Sequence, residues 1–239
     1  PIWAPEPKEM YRANVDGARS VLRAAAKAGA ERIVHCSSVA AIAPPHDKTP
    51  VDETHEYSSL DEVVSDYKKS KYLSDVLARR LAQDEGLPVV VVNPAAPIGP
   101  YDIKPTPTGR IVTDFLNGKL PSYIDTGLNI VHVEDVALGH WLAATKGRLG
   151  ERYILGGENL TLKQILDLLE EVSGRPAPRF KTRLDPVSIV TNTRSVFAIR
   201  SGRAGARSSR SISGPSETYS ISSAVQARSI STAIAAGSD

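Results

Sequence analysis

The sequence is poor in cysteine and has no long hydrophobic run, and both shortages limit what kind of protein it is. Among 239 residues Cys36 is the only cysteine, so an internal disulfide is impossible and a reducing, cytoplasmic location is expected. We interpret Cys36 as a small buried hydrophobic residue at a strand end. The longest apolar run surrounds residues 89–92, far shorter than a membrane span. The first residues lack the basic start and apolar core of a signal peptide.

Positive charge is distributed unevenly along the chain. The net charge is +2, but residues 184–239 carry six arginines against three acidic residues, which leaves 1–183 slightly negative. Because residues 1–183 have no excess of basic over acidic residues, their composition argues against nucleic-acid binding. The segment 184–239 is rich in Ser, Arg and Ala, and this composition predicts disorder. We therefore expect an ordered part, 1–183, and a low-complexity tail, 184–239, whose Arg/Ser tract leaves RNA association as an alternative role.

Apolar periodicity predicts strands and helices in alternation over the ordered part. A polar, proline-bearing loop is expected over 44–57, and an abrupt break is expected where Asn93 and Pro94 follow an unbroken apolar strand. Alternation of this kind implies an α/β fold with a parallel, helix-covered sheet. The predicted helices are 6–28, 60–84, 106–117, 136–145 and 161–172, and the predicted strands are 31–36, 87–92, 130–133 and 153–155.

One helix carries the residue types needed for proton transfer at a carbonyl. Tyr67 and Lys71 are four residues apart, so the phenol and the ammonium share a helix face. A free tyrosine titrates near ~10, and a neighbouring cation is expected to lower that pKa toward the working range of a general acid or base. The Ser38 hydroxyl, at the end of a predicted strand, is suited to hold the substrate oxygen. A Tyr–Lys pair at this spacing also arises by chance, so the pair alone is weak evidence.

Further motifs make the pattern far more specific. Ser37–Ser38, Tyr67-x-x-x-Lys71 and Asn93–Pro94 together resemble the extended short-chain dehydrogenase/reductase superfamily, the NAD-dependent epimerase/dehydratase group. Within this superfamily the sequence most resembles the hopanoid-associated sugar epimerases and the dihydroflavonol-4-reductases, and the resemblance covers roughly residues 3–180. It is carried by Asn14-Val-Asp-Gly17, Gly99-Pro-Tyr-Asp-Ile-Lys-Pro-Thr-Pro-Thr-Gly-Arg110, Val131-His-Val-Glu-Asp-Val136 and Gly150-Glu-Arg-Tyr-Ile-Leu-Gly-Gly157. The resemblance implies a truncated Rossmann-like sheet with flanking helices and part of a C-terminal substrate-binding region.

The resemblance also implies a role for each matched residue. Tyr67 would be the general acid/base. Lys71 would hold the nicotinamide ribose and lower the Tyr67 pKa, and Ser38 would orient the reacting oxygen. Ser37 and Asn14 are expected beside the cofactor, although Asn14 is equally well explained as an amide tying its helix to the sheet. Asn93 is expected at the substrate, and the nicotinamide is expected to be lined by Pro94, Ala95, Ala96 and Pro97.

The implied ligands are small molecules. The cofactor would be NAD or NADP, and the substrate a sugar nucleotide or a flavonol-like compound that reacts at a carbonyl or hydroxyl carbon. No metal is expected, because His132, Glu134 and Asp135 are spaced along a strand end and do not converge on one ion. Nucleic acid and membrane are not expected as partners, and the resemblance allows a homodimer.

Two departures from the family pattern bear on activity. Members open with a strand and Gly-x-x-Gly-x-x-Gly, whose backbone binds the pyrophosphate, and this motif is absent from the sequence. The segment after 184 does not resemble the family either, which suggests a frame-shifted reading. We therefore expect an oxidoreductase fragment that is inactive or impaired and binds NAD(P) weakly at best. The alternative is a non-catalytic module without cofactor affinity.

Overall fold

The computed structural model describes residues 6–45 and 49–182, and its centre is a three-stranded parallel sheet. The strands stand in the order β1-β2-β5, with Cys36 paired to Val92 and Asn93 paired to Ile154. Strand β2 is central and its four valines are completely buried, as expected for a strand covered on both faces. The strands are β1 (Ile33–Cys36), β2 (Val89–Pro94) and β5 (Arg152–Leu155).

The helix that carries Tyr67 and Lys71 begins and ends at clear signals. Ser65 caps its first turn by accepting a hydrogen bond from the Lys68 amide at 3.3 Å. Gly86 ends it in the left-handed conformation, with φ 68°, which glycine adopts without steric cost. This helix, α3 (Asp66–Glu85), packs with the first helical segment on one face of the sheet.

The first helical segment is continuous but changes its winding in the middle. It consists of α1 (Pro7–Tyr11), a π-helical turn (Arg12–Asp16) and α2 (Gly17–Lys27). Two side-chain bonds join it to α3: the Tyr11 hydroxyl donates to Asp66 at 2.9 Å, and the Asn14 amide donates to the Ser70 hydroxyl at 2.9 Å. The other face of the sheet is covered by α5 (Val133–Lys146).

A second three-stranded sheet alternates with the first along the chain and has its own apolar core. Its order is β3-β4-β6, with β3 parallel and β6 antiparallel to β4. The strands are β3 (Ala96–Ile98), β4 (Gly127–His132) and β6 (Glu158–Thr161), and the helices against it are α4 (Pro107–Leu116) and α6 (Leu162–Ser173). Buried residues of this second core include Ile98, Val112, Phe115, Ile165, Leu166 and Leu169.

The expected α/β architecture is confirmed, and the differences from it are local. The helix predicted over 60–84 begins at Asp66, because residues 60–62 form a separate 3-10 turn. The break after Asn93 and Pro94 is brief, since the chain re-enters a strand at Ala96. The second sheet is mixed, because β6, which is too short and polar to stand out in sequence, runs antiparallel to β4. The predicted tail, 184–239, lies outside the described residues.

Candidate functional site

The residues expected to form the site meet at the carboxyl edge of the first sheet. Ser37 and Ser38 follow β1, Ala95 follows β2, and α3 brings its first turns to the same edge. In open parallel sheets ligands bind outside the carboxyl ends of the strands, so this is the place where the fold favours a site. Tyr67 and Lys71 lie one helical turn apart on α3, as their spacing predicts.

The Ser38 hydroxyl lies close enough to the Tyr67 phenol to lower its pKa, which brings the strand end and the helix together. Ser38 begins the 3-10 turn Val39–Ala41, and its side chain accepts a hydrogen bond from the Ala40 amide at 3.2 Å. The serine is therefore held by the turn that it caps and faces the phenol. Both side chains are half-buried, so a ligand can reach them.

The electrostatics of Tyr67 differ from the expectation. Burial raises the pKa of Tyr67 above its usual value, and the nearby Ser38 hydroxyl opposes the rise only in part. The expected lowering by Lys71 was wrong for the chain without a ligand, because desolvation of the phenol outweighs the effects that favour phenolate. The charge of Lys71 acts instead on Cys36 and His35: it opposes the rise that desolvation causes in the Cys36 pKa and adds to the fall that burial causes in the His35 pKa. Tyr67 is therefore a protonated phenol at neutral pH.

Cys36 itself was misjudged from the sequence. It is exposed, not a buried hydrophobic residue. The reason is its place in the sheet, since β1 is the outer strand of the order β1-β2-β5. A residue at the end of an outer strand lacks the neighbour that would cover it.

Ser37 differs from its neighbour Ser38 in its surroundings. Its backbone amide donates to the Val92 carbonyl at 2.8 Å and extends the β1–β2 ladder by one residue. Its hydroxyl is buried and makes no hydrogen bond within the described part of the chain. A buried hydroxyl without a partner is costly, so its site can gain stability from a polar ligand group.

Asn14 and Asn93 both make structural hydrogen bonds. Asn14 lies in the π-helical turn and binds Ser70 of α3, so its amide ties helix to helix and not helix to sheet. Asn93 is completely buried and donates to the Ser38 carbonyl at 3.0 Å and to Asp75 at 2.7 Å. The geometry thus gives Asn93 contacts with protein groups behind the site, where a substrate was expected.

Residues 94–97 connect β2 of the first sheet to β3 of the second sheet. The Ala95 amide donates to the Leu155 carbonyl at 3.0 Å, and Ala96 and Pro97 pair with Ile130 and Val131 of β4. Residues 94–97 are all half-buried, small and nonpolar, so they present a partly accessible apolar surface. Such a surface accommodates an aromatic ring of a cofactor.

Sequence reasoning missed a buried polar cluster behind the site, which we call the Asp75 cluster (Asp75, Arg79, Asn93, Arg152 and Glu56). Asp75 is completely buried and accepts hydrogen bonds from Arg79 at 2.9 Å and from Arg152 at 3.3 Å, besides that from Asn93. Arg152 is also buried and forms an ion pair with Glu56 at 3.1 Å. A usable signal existed, because Asp75 lies two helical turns after Tyr67 on the face that meets the sheet.

Over 6–45 and 49–182, no three His, Cys, Asp or Glu side chains lie close enough together to bind a metal ion. The His132 ring accepts a hydrogen bond from the Glu134 amide at 3.3 Å, which makes it the cap of α5. No helix among the described residues has the length and apolarity to cross a bilayer.

The described residues fit one half of a nicotinamide dinucleotide. Lys71 and the unpartnered hydroxyl of Ser37 offer polar groups for the ribose, and the small residues 94–97 offer a surface for the nicotinamide ring. For the pyrophosphate the usual site is a glycine-rich turn between a strand and a helix. Within the described ranges β4 and β6 run directly into α5 and α6, and none of the strands leads into a helix through such a turn.

Comparison with known proteins places this fold and site in a family. Residues 3–156 match the model of the NAD dependent epimerase/dehydratase family, and the chain belongs to that family. The predicted membership is thereby confirmed. It is a Rossmann-fold family that depends on NAD.

Individual relatives are similar over the same stretch. A Synechocystis protein provisionally named dihydroflavonol 4-reductase is 46% identical over 182 residues, 74% of this chain and 52% of its own length. The structure of a Pseudomonas aeruginosa nucleoside-diphosphate-sugar epimerase is 32% identical with a TM-score of 0.67, over 73% of this chain and 57% of that one. The dTDP-glucose 4,6-dehydratase of Bacillus anthracis, solved in complex with NAD, is 25% identical with a TM-score of 0.63, over 76% and 59%. The chain spans about half the length of the curated relatives it matches.

Proposed function

We propose that this protein acts in an NAD(P)-dependent oxidoreductase of the epimerase, dehydratase or reductase type. The observation that carries the proposal is the proximity of the Tyr67 phenol to the Ser38 hydroxyl at the carboxyl edge of a parallel sheet, with Lys71 one turn further along α3. A phenol, a hydroxyl and an ammonium at this edge provide a proton donor, a holder for a carbonyl oxygen and a cation for a ribose.

In the proposed reaction Tyr67 donates its proton to the carbonyl oxygen of the substrate. Its raised pKa keeps the phenol protonated at neutral pH, which suits the acid role in carbonyl reduction. The Ser38 hydroxyl, which lies near the phenol, holds the same oxygen in place, and Lys71 binds the ribose of the cofactor. When bound, the nicotinamide supplies or accepts the hydride. In the reverse direction the phenolate takes the proton from the substrate hydroxyl.

The substrate class we propose is a sugar nucleotide or a flavonol-like compound with a reactive carbonyl. The similar proteins named above support both kinds, since they comprise a sugar epimerase, a sugar dehydratase and a reductase named for dihydroflavonol. The site itself is compatible with either, because it addresses only the reacting oxygen. A panel of nucleotide sugars and dihydroflavonol-type carbonyls, assayed with both NADH and NADPH, separates the two classes.

The direct test of the function is Tyr67→Phe in a version of the protein that also carries the family's glycine-rich phosphate-binding motif. This change removes only the proton-transferring oxygen, so turnover should fall about 10²- to 10⁴-fold while cofactor binding is retained. Tyr153→Phe is the matched control: Tyr153 is also buried, but its hydroxyl accepts a bond from the Arg148 amide away from the edge that holds Ser38. Full turnover in Tyr67→Phe would remove Tyr67 from the mechanism.

Cofactor titration separates catalysis from the non-catalytic alternative. The 239 residues contain no glycine-rich phosphate motif, so we expect the purified chain to bind NADH and NADPH only weakly. Calorimetry with both nucleotides measures this. A dissociation constant in the low micromolar range would show that the pyrophosphate is bound by other means, and weak binding that Lys71→Met leaves unchanged would favour the non-catalytic module.

A further inference from the structure

We propose that Asp75 and Asn93 form a positioning device that holds the Ser38 backbone so that the Ser38 hydroxyl meets the Tyr67 phenol. The inference rests on the proposed function of Tyr67 and deepens it. Asp75 and Asn93 are completely buried, so neither touches a substrate directly. Their role is to fix the distance between the Ser38 and Tyr67 side chains, which do.

The first step concerns the two hydrogen bonds that the side-chain amide of Asn93 donates. The side-chain nitrogen donates one hydrogen bond to the Ser38 carbonyl at 3.0 Å and the other to Asp75 at 2.7 Å. The Ser38 carbonyl also accepts a bond from the Ala41 amide at 3.0 Å, so it is held from the strand side and from its own turn. With its carbonyl fixed, Ser38 has its side chain aimed in one direction.

The second step is that Asp75 belongs to the same helix as Tyr67. Because Asp75 lies two turns further along α3, its bond to Asn93 ties the helix that carries the phenol to the strand end that carries the hydroxyl. Hydrogen bonds join Asp75, Asn93 and the Ser38 backbone, and the Ser38 hydroxyl lies near Tyr67 of the same helix as Asp75, so the connections close into a ring. A closed ring restrains both rotation of α3 and sliding of Ser38.

The third step is that Asp75 is itself fixed by charge. The other carboxylate oxygen accepts bonds from Arg79 and Arg152, and Arg152 donates at 2.8 Å each to the backbone carbonyls of Glu53 and His55. A buried carboxylate needs such partners to remain charged. Buried ion pairs are often no more stabilising than apolar packing of the same volume. What the ion pairs of Asp75 provide beyond apolar packing is therefore the direction of their hydrogen bonds.

The matched pair of variants is Asn93→Ala and Asn129→Ala in the full chain. Asn129 is also a buried asparagine that bridges backbone groups: it accepts from the Gly157 amide at 2.8 Å and donates to the Gly157 carbonyl at 3.2 Å, but it lies in the second sheet. Both changes remove an uncharged amide of the same size. A role limited to stability would give the two variants the same pattern of effects.

Amide hydrogen exchange reports the positioning directly and needs no activity. In Asn93→Ala we expect the Ala40 amide, which donates to the Ser38 hydroxyl, to exchange about five- to tenfold faster, with Gly157 unchanged. In Asn129→Ala we expect the reverse. Unchanged exchange at Ala40 in a folded Asn93→Ala protein would overturn the proposal. If that variant fails to fold, Asn93→Ser, which keeps a shorter donor, is expected to show the same direction with a smaller change, and no change there would equally refute it.

Turnover of the protein that also carries the glycine-rich motif provides the second readout. Asn93→Ala should lower kcat about tenfold while the KM for the cofactor stays unchanged, and Asn129→Ala should leave both unchanged. Equal losses of kcat in the two variants would assign Asn93 a merely structural role. If Tyr67→Phe retains turnover, the proposed function fails, whereas the exchange experiment still decides whether Asp75 and Asn93 hold Ser38.

Discussion

The two sheets of this protein are held together in different ways. Behind the first sheet lies the Asp75 cluster, in which buried charges and amides make directional hydrogen bonds to the strand end and to α3. The second sheet is joined to α4 and α6 by an apolar core that includes Phe115 and Leu169. Apolar packing stabilises without prescribing direction, whereas hydrogen bonds prescribe it. The difference suggests that the first region is built for geometry and the second for stability.

The largest effect on stability is expected from breaking the Asp75 cluster at Arg152. Arg152→Leu leaves the buried Asp75 carboxylate with Arg79 as its remaining cation, which should cost about 3–5 kcal/mol of unfolding free energy. Denaturant unfolding measures the cost. Arg148→Leu, an exposed arginine in the same part of the chain, is the control and should change stability by no more than about 0.5 kcal/mol. Similar losses in both variants would contradict the importance of the cluster.

A comparable loss of stability in the second region should leave the site intact. Leu169 is completely buried, and Leu169→Ala should cost about 2–5 kcal/mol through lost burial and a cavity. Leu169→Met, which conserves volume, should cost less than about 1.5 kcal/mol. Neither change should alter the exchange of the Ala40 amide under conditions where the protein is folded. Faster exchange at Ala40 in Leu169→Ala would show that the two regions are not independent.

A smaller effect tests where the charge of Lys71 acts. Lys71 lowers the pKa of Cys36, so Lys71→Met should move the midpoint of Cys36 alkylation to higher pH. The single cysteine makes the rate of reaction with iodoacetamide a clean measurement. Lys69→Met removes an equal charge two residues away on the same helix and should leave the midpoint in place. An unchanged midpoint of Cys36 alkylation in Lys71→Met would show that the Lys71 ammonium does not act on Cys36.

The smallest effect expected is a loss of stability in acid that arises at His35. Burial lowers the His35 pKa below 6.5, an effect that Asp75 opposes and Lys71 reinforces. The unfolded chain therefore takes up this proton at a higher pH than the folded chain does. Stability is unaffected above about pH 6.5 and falls as the pH drops from there toward the folded pKa. His35→Gln should flatten this part of the curve of unfolding free energy against pH, and an identical slope in the variant would exclude His35 as its source.

Predictability differs between the two regions as well. The buried strand over 89–92 and the helix that begins at Thr161 follow from local signals and were predicted within two residues of their actual bounds. The end of the Tyr67 helix at Gly86 was also predicted, whereas its start was placed six residues too early. The strands β3 and β6 were missed because neither contains an apolar run: β3 is Ala-Pro-Ile and β6 is Glu-Asn-Leu-Thr. The direction of the Tyr67 pKa was mispredicted because burial cannot be judged from the spacing to Lys71.

The sequence by itself determined the local elements and the helix face that Tyr67 shares with Lys71, since these depend on residues within a few positions of each other. It also determined the family, through motifs spread over most of 3–156. Only the tertiary structure decided that Asn93 faces Asp75 and not a substrate, and that Arg152 joins them from 77 residues away. The physical reason is that the charge and direction of a buried polar side chain are set by its partners, and the fold supplies those partners from distant parts of the chain.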